Sequence, residues 1–193
     1  MIDVEGMIQR WKNGDERAAE ALYNHFRDRT FHLAYGLLGS ITDAEEAAQD
    51  ALAYALRHIK RYDPERASFS TWLHMITVSR ARDRYRRRPR PSLSLSAWLG
   101  RGGDIPDPRS GPEQVTIRRE TQSQIWNAVQ ALDPTLREAI VLRYWGGQTY
   151  REMAEILDCP LRTAQSRVRI AFNRLRESLS AAELNKLGEE MVA

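Results

Sequence analysis

Ahead of position 89, apolar residues recur at intervals of three and four. Leu22, Phe26, Leu33 and Leu37 fall on one helical face, and Gly39 supplies a stop signal. Thr42-Asp43-Ala44-Glu45 reads as a capping box. There, the threonine hydroxyl and the glutamate carboxylate satisfy first-turn amides that have no partner inside a helix. Ala48, Leu52, Ala55, Leu56 and Ile59 form the stripe of the helix that follows. Tyr62-Asp63-Pro64 breaks it, and a third helix begins near Ser70, carrying Trp72, Leu73, Ile76, Ala81 and Tyr85 inward. No alternating stretch of strand length competes, so residues 1–88 read as an all-helical domain.

The periodicity vanishes between Pro89 and Pro112, where 13 of 24 residues are Pro, Gly or Ser. This composition predicts a flexible linker at 89–112, with a reach of roughly 80 Å at about 3.3 Å per residue. Helical spacing returns over 113–180. Pro112 suits a first helical position, and Ile125, Ala128, Val129 and Leu132 repeat correctly. Asp133-Pro134 opens another helix, with Leu136, Ala139, Ile140 and Tyr144 inward until Gly146-Gly147. Residues 181–193 are left as a tail. The fold expected is all-α, with two small helical domains on one linker.

The last two helices carry chemistry. Thr149-Tyr150-Arg151-Glu152 is a capping box that opens a short helix with Met153, Ala154, Ile156 and Leu157 inward, and Asp158-Cys159-Pro160 forces a turn. A final helix from about Leu161 buries Ala164, Val168, Ala171, Phe172, Leu175 and Leu179 and leaves Arg162, Gln165, Ser166 and Arg169 outward. This is helix-turn-helix spacing, whose second helix lies in the major groove with its first turns against base edges. Arginine grips guanine and glutamine grips adenine by paired hydrogen bonds, while Thr163 and Ser166 reach bases or phosphates. Five arginines and no acid between Leu161 and Arg176 add attraction for phosphate.

Charge sharpens the picture. The net charge of +3 conceals a segregation: seven arginines and one acid between Arg80 and Arg90, and four acids with no base between Ile41 and Asp50. Such fields suit one polyanionic and one basic partner. A single cysteine, Cys159, excludes an internal disulfide and points to the reducing cytoplasm. The four histidines are scattered without ligand spacing, so neither metal nor cofactor is expected. A signal peptide and a membrane span are both absent from the pattern.

Two sets of residues resemble the extracytoplasmic-function subgroup of bacterial sigma factors. Asp43-Ala44-Glu45-Glu46-Ala47-Ala48-Gln49-Asp50, Phe69-Ser70-Thr71-Trp72-Leu73 and Asp83 ahead of Arg86-Arg87-Arg88 are similar to the second sigma domain. Leu132-Asp133-Pro134, Arg137-Glu138, Arg143-Tyr144, Tyr150 to Leu157 and Thr163-Ala164-Gln165-Ser166-Arg167 are similar to the fourth.

The resemblance implies a factor that binds core RNA polymerase and directs initiation at promoters, without catalysis of its own. Asp43, Glu46, Gln49 and Asp50 would dock on the β′ clamp helices, and the fourth domain would sit at the β flap. The loop from Lys60 to Phe69 would receive a base flipped from the −10 element. Ser79, Arg80, Arg84, Arg86 and Arg87 would follow the opened strand, for which clustered arginines need a nearby polyanion. Phe69 and Trp72 have the spacing of core aromatics as well as of contacts. Arg162, Thr163, Gln165, Ser166 and Arg169 would read the −35 element. Asp104 and Asp107 would travel with the linker through the polymerase cleft. An anti-sigma factor is the further partner implied.

The chain departs from the family pattern at four positions. Asp158 stands where the turn usually has glycine, Ser79 replaces a common asparagine, and Ile170 and Phe172 replace frequent arginines. A polymerase-independent helix-turn-helix regulator would explain only the C-terminal half. An enzyme finds no phosphate-cradling loop, metal cluster or activated nucleophile.

Overall fold

The computed structural model describes residues 3–87, 123–180 and Leu184. The linker read at 89–112, Pro112, Asp104, Asp107 and nearly all of the tail at 181–193 lie outside the described residues. Those described are helical or in turns, and fall into two helical units.

The first unit opens with a helix that the periodicity did not reveal, α1 (Val4–Lys12), started by Asp3, whose carboxylate accepts from the Gly6 amide at 2.8 Å. Asp15 then caps α2 (Glu16–Leu38) by accepting from the Arg17 and Ala18 amides, and the Arg10 side chain beside it holds its carboxyl below the usual range. Gly39 ends α2 in the left-handed region at φ 68°, donating its N–H to Tyr35 O at 2.8 Å. α3 (Ile41–Arg57) starts two residues earlier than expected. Its cap is Ser40, which accepts from the Asp43 amide at 3.4 Å, and Thr42 already lies inside the first turn. A single 3₁₀ turn, Ile59–Arg61, leads to the loop before α4 (Phe69–Arg87). Ile8, Leu22, Phe26, Leu52, Phe69 and Leu73 form this unit's own core. Tyr85, expected inward, is 44% exposed near the end of α4.

The second unit contains α5 (123–130) and α6 (Pro134–Ile140), which runs into a π-helical turn, Val141–Trp145. α7 (Tyr150–Ile156) and α8 (Leu161–Ser178) complete it. Val129, Ile140, Leu142, Met153, Ala171 and Leu175 are all essentially sealed from solvent.

The two units are docked along a continuous seam. One hydrophobic cluster unites Leu33, Ala34, Leu37 and Val78 of the first with Val129, Val141, Met153 and Val168 of the second. Tyr35 stacks on Trp126 with ring centroids 4.2 Å apart, and Trp126 meets Trp145 edge-on. Gly36 lies close against the second unit, since a methyl group there would come within 3.0 Å of Val141 Cγ1. Its carbonyl accepts from Gln130 Nε2 at 2.8 Å.

Charged groups join the same seam. Arg82 and Glu138 form a two-point ion pair, with both N···O distances 2.7 Å. Arg137 is buried and donates to the carbonyls of Leu37, Gln130 and Leu132 at 3.1, 2.6 and 3.0 Å, tying the end of α2 to the α5–α6 turn. Thr71 Oγ1 lies 3.1 Å from Glu152 Oε1 and 3.3 Å from Gln148 Oε1.

Candidate nucleic-acid interface

The helix-turn-helix is built as its sequence predicts. Thr149 Oγ1 accepts from the Glu152 amide at 3.3 Å while Glu152 Oε2 accepts from the Thr149 amide at 2.8 Å, a complete capping box. Partial burial tends to raise the Glu152 carboxyl. Hydrogen bonds from Thr149 and Thr71 and the proximity of His74 outweigh it and leave the pKa lowered. The turn places Asp158 at φ 50°, the left-handed conformation that the missing glycine would otherwise have supplied. Upstream, the Arg143 guanidinium lies over the Tyr150 ring at 5.2 Å and donates to Gln148 O at 2.9 Å, fixing the approach to α7.

α8 packs through Ala164, Val168, Ala171 and Leu175, which turns the opposite face outward. Arg162, Gln165 and Arg169 are exposed; Thr163 and Ser166 are half-buried beside them. Arg162, Arg167, Arg169, Arg174 and Arg176 form no ion pair among the described residues, so the helix keeps its positive field. Of the two positions where arginine is frequent, Ile170 is 41% exposed, while Phe172 is half-buried against Tyr144 with centroids 5.9 Å apart.

The arginine run of α4 behaves differently. Its sequence suggests uncompensated charge, and the fold supplies the compensation internally. Arg82 is engaged by Glu138. Arg84 lies 3.7 Å from Asp43 and pairs closely with Glu46, so it faces α3. Arg86 pairs with Asp83, and Arg80, 3.9 Å from Asp83, lays its guanidinium over Tyr54 at 4.9 Å. Arg87 and Ser79 are exposed. The repulsion expected to demand an outside polyanion is thus met largely by the protein's own acids. The signal that was available, acids of α3 facing arginines of α4, depends on helix pairing that no local spacing reveals.

Around the loop before α4, Lys60 is exposed on the 3₁₀ turn. Phe69 is only 4% exposed. It packs 5.0 Å from Phe26, 5.4 Å from Tyr62 and 5.8 Å from Trp72, which ties it into the core beneath the loop and leaves little of its ring exposed. Trp72 is half-buried in the same cluster. A groove of about 670 Å³ opens beside Tyr62, Pro64, Ser68, Phe69 and Ser70, lined also by Asp3, Glu5 and Arg29. Burial, reinforced by Glu5 and Asp63, pushes the Tyr62 hydroxyl up.

On α3, Glu46, Gln49 and Asp50 are exposed in one direction and Asp43 is half-buried at its edge. Ala44, Ala47, Ala48 and Ala51 pack the other side of the helix against the core. Among the described residues no helix is long and apolar enough to cross a membrane.

Comparison with known proteins agrees with this arrangement. Residues 22–91 match Sigma-70 region 2 and residues 122–175 match Sigma-70, region 4. The ECF RNA polymerase sigma factor RpoE of Cereibacter sphaeroides is 31% identical over 170 residues, which cover 86% of this chain and 88% of that protein. The ECF RNA polymerase sigma factor SigW of Bacillus subtilis is 30% identical over 182 residues, covering 91% of this chain and 96% of its own. The fold is that of Bartonella quintana RpoE, solved with the anti-sigma factor NepR, at a TM-score of 0.66 and 23% identity over 86% of this chain and 96% of that one. With both regions in order and relatives of this similarity along most of its length, the chain belongs to the ECF RNA polymerase sigma factors.

Proposed function

We propose that residues 1–88 act as the polymerase-docking and −10-binding domain and residues 113–180 as the −35-binding domain of this sigma factor. The observation that carries the reading is α8. It is a recognition helix held by a fully capped partner, bearing five arginines that form no ion pair among the described residues and presenting Arg162, Gln165 and Arg169 outward. Thr163 and Ser166 complete that contact set.

Glu46, Gln49 and Asp50, with Asp43 at their edge, supply the exposed acidic face for the basic polymerase helices. Lys60, Ser79, Arg80, Arg86 and Arg87 supply contacts to the opened strand, and the groove beside the Lys60–Phe69 loop has room for an extruded base. Arg84 contributes there only by leaving Asp43 and Glu46. Bond making belongs to the polymerase, and the working compartment is the cytoplasm. As the Bartonella quintana relative was solved with NepR, an anti-sigma factor is the regulatory partner proposed here.

Transcription by core polymerase on a genomic promoter library, with and without the full chain, tests the reading. New start sites sharing −35 and −10 sequences are the expected result; unchanged initiation would refute it. Asp50→Arg should abolish holoenzyme formation while the isolated protein keeps its helical content.

A further inference from the structure

Among the described residues, the large aliphatic side chains left exposed are Ile41, Leu161 and Ile170, and their positions differ. Ile41 and Leu161 each open a helix, α3 and α8. Leu161 also lines a hollow with Ala154, Cys159 and Pro160, so its apolar surface continues into its own turn. Ile170 stands in the third turn of α8 and is 41% exposed.

At about 100° per residue, Ala164, Val168, Ala171 and Leu175 turn to the packed side of α8, and Arg162, Ser166, Arg169, Ile170 and Asn173 turn to the other. Ser166 precedes Ile170 by one turn, and Arg169 adjoins it. The stability of the helix does not call for isoleucine at this place. A branched side chain lowers helix propensity, and the outward stripe of a solvated helix is ordinarily polar.

The neighbouring charges narrow the occupant. Arg162, Arg167, Arg169 and Arg174 surround Ile170 on the helix surface and form no ion pair among the described residues. A surface framed in this way draws a polyanion and repels a basic partner. In the major groove of DNA the aliphatic feature on offer is the 5-methyl group of thymine. Ile170 lies about 12 Å along the axis from Arg162 at 1.5 Å per residue, a span that matches a major groove about 12 Å wide. With base pairs about 3.4 Å apart, its contact falls about three base pairs from the one made by Arg162.

We propose that Ile170 reads thymine in the −35 duplex by packing on its 5-methyl group, a specificity contact beyond the polar set of Arg162, Thr163, Gln165, Ser166 and Arg169. The proposal rests on the assignment of α8 as the −35-reading helix and adds the base that its apolar position selects. Neither a hydrogen bond nor a charge takes part. Cytosine at the same place lacks the methyl group and presents an amino donor that isoleucine leaves without a partner.

Deoxyuridine isolates this contact, because it pairs with adenine as thymine does and lacks only the methyl group. Holoenzyme assembled from core polymerase and the full chain is titrated, at one fixed salt concentration, with promoter duplexes that it has itself selected. In these, each −35 thymine on either strand is replaced singly by deoxyuridine. At one thymine the replacement should weaken binding about fourfold, the effect of one buried methyl group. Ile170→Ala should bind the thymine duplex as weakly as the parent binds the deoxyuridine one, and should not respond to deoxyuridine there. Ile170→Val, which keeps the branched methyls, should retain most of the response. Alanine is the better helix former at an exposed position, so the far-UV circular dichroism of Ile170→Ala should match the parent.

Deoxyuridine without effect at every −35 position, or with an equal effect on the parent and on Ile170→Ala, would overturn the methyl contact while promoter selection stays intact. A parent chain that gives core polymerase no promoter preference fails the sigma-factor reading, and this contact with it.

Discussion

α4 and α8 are both long helices rich in arginine, and they hold that charge in opposite states. On α4, Arg82, Arg84 and Arg86 are each matched by an acid, two of them from other helices. On α8, no arginine is matched among the described residues, and the helix enters solvent with its field intact. Residue type alone does not make a nucleic-acid surface. What draws phosphate is charge that the fold has left uncompensated.

The comparison breaks most strongly in acid, and only on the α4 side. His74 of α4 is buried among Glu152 of α7 and Arg29 of α2, its Nδ1 has no hydrogen-bond partner among the described residues, and burial lowers its pKa from 6.5 to about 4. A histidine kept neutral by the fold takes up protons more readily once the fold opens. Its contribution is therefore complete above pH 6.5 and disappears as the pH falls toward 4. Urea denaturation should show about 3 kcal/mol lost across that window, with His74→Leu lacking this component; parallel pH profiles for the two proteins would contradict the assignment. α8 contains no histidine and should add nothing to the difference.

Glu138→Ala comes next. It strands Arg82 in a half-buried position and should cost about 2 kcal/mol by denaturation, where Arg169→Ala on α8 should change stability by less than about 0.5 kcal/mol. Equal losses would erase the distinction between the helices. Arg162→Ala or Gln165→Ala should leave stability alone and reduce discrimination at the −35 element by about 1.5 kcal/mol, read as promoter preference in run-off transcription. The smallest effect sharpens the contrast further. Arg169→Gln should lower the salt dependence of holoenzyme–promoter binding by about one ion, and Arg82→Gln should leave that slope unchanged.

Local signals in the sequence reached most of the fold. The stripes of α2, α3 and α8 and the Thr149 capping box depend on neighbours within a few residues and were legible, although Leu56 and Phe172 are only half-buried and Ile59 falls on the 3₁₀ turn beyond α3. α1 escaped because nine residues offer only one fully buried position, Ile8. The start of α3 was displaced because Ser40 and Thr42 both carry a hydroxyl suited to capping, and only the end of α2 at Gly39 decides between them. The seam was invisible for a different reason. Arg137 and Glu138 look like surface residues, and their burial depends on partners 100 and 56 positions away. The same holds for the residues proposed to make contacts. Arg162, Gln165 and Arg169 were legible because helix periodicity alone points them outward, whereas Phe69 and Arg84 are turned inward by aromatics and acids from other helices.

Glu152 divides its two oxygens between tasks at different scales, one closing the first turn of α7 and the other reaching Thr71 on the opposite unit. Any mutation here is therefore read twice. Glutamine satisfies the local requirement for a helix start but arrives at Thr71 as a neutral amide, and aspartate is one methylene short for both. Through this residue the start of α7 and its contact with α4 are mechanically joined, so a change made for one end is felt at the other.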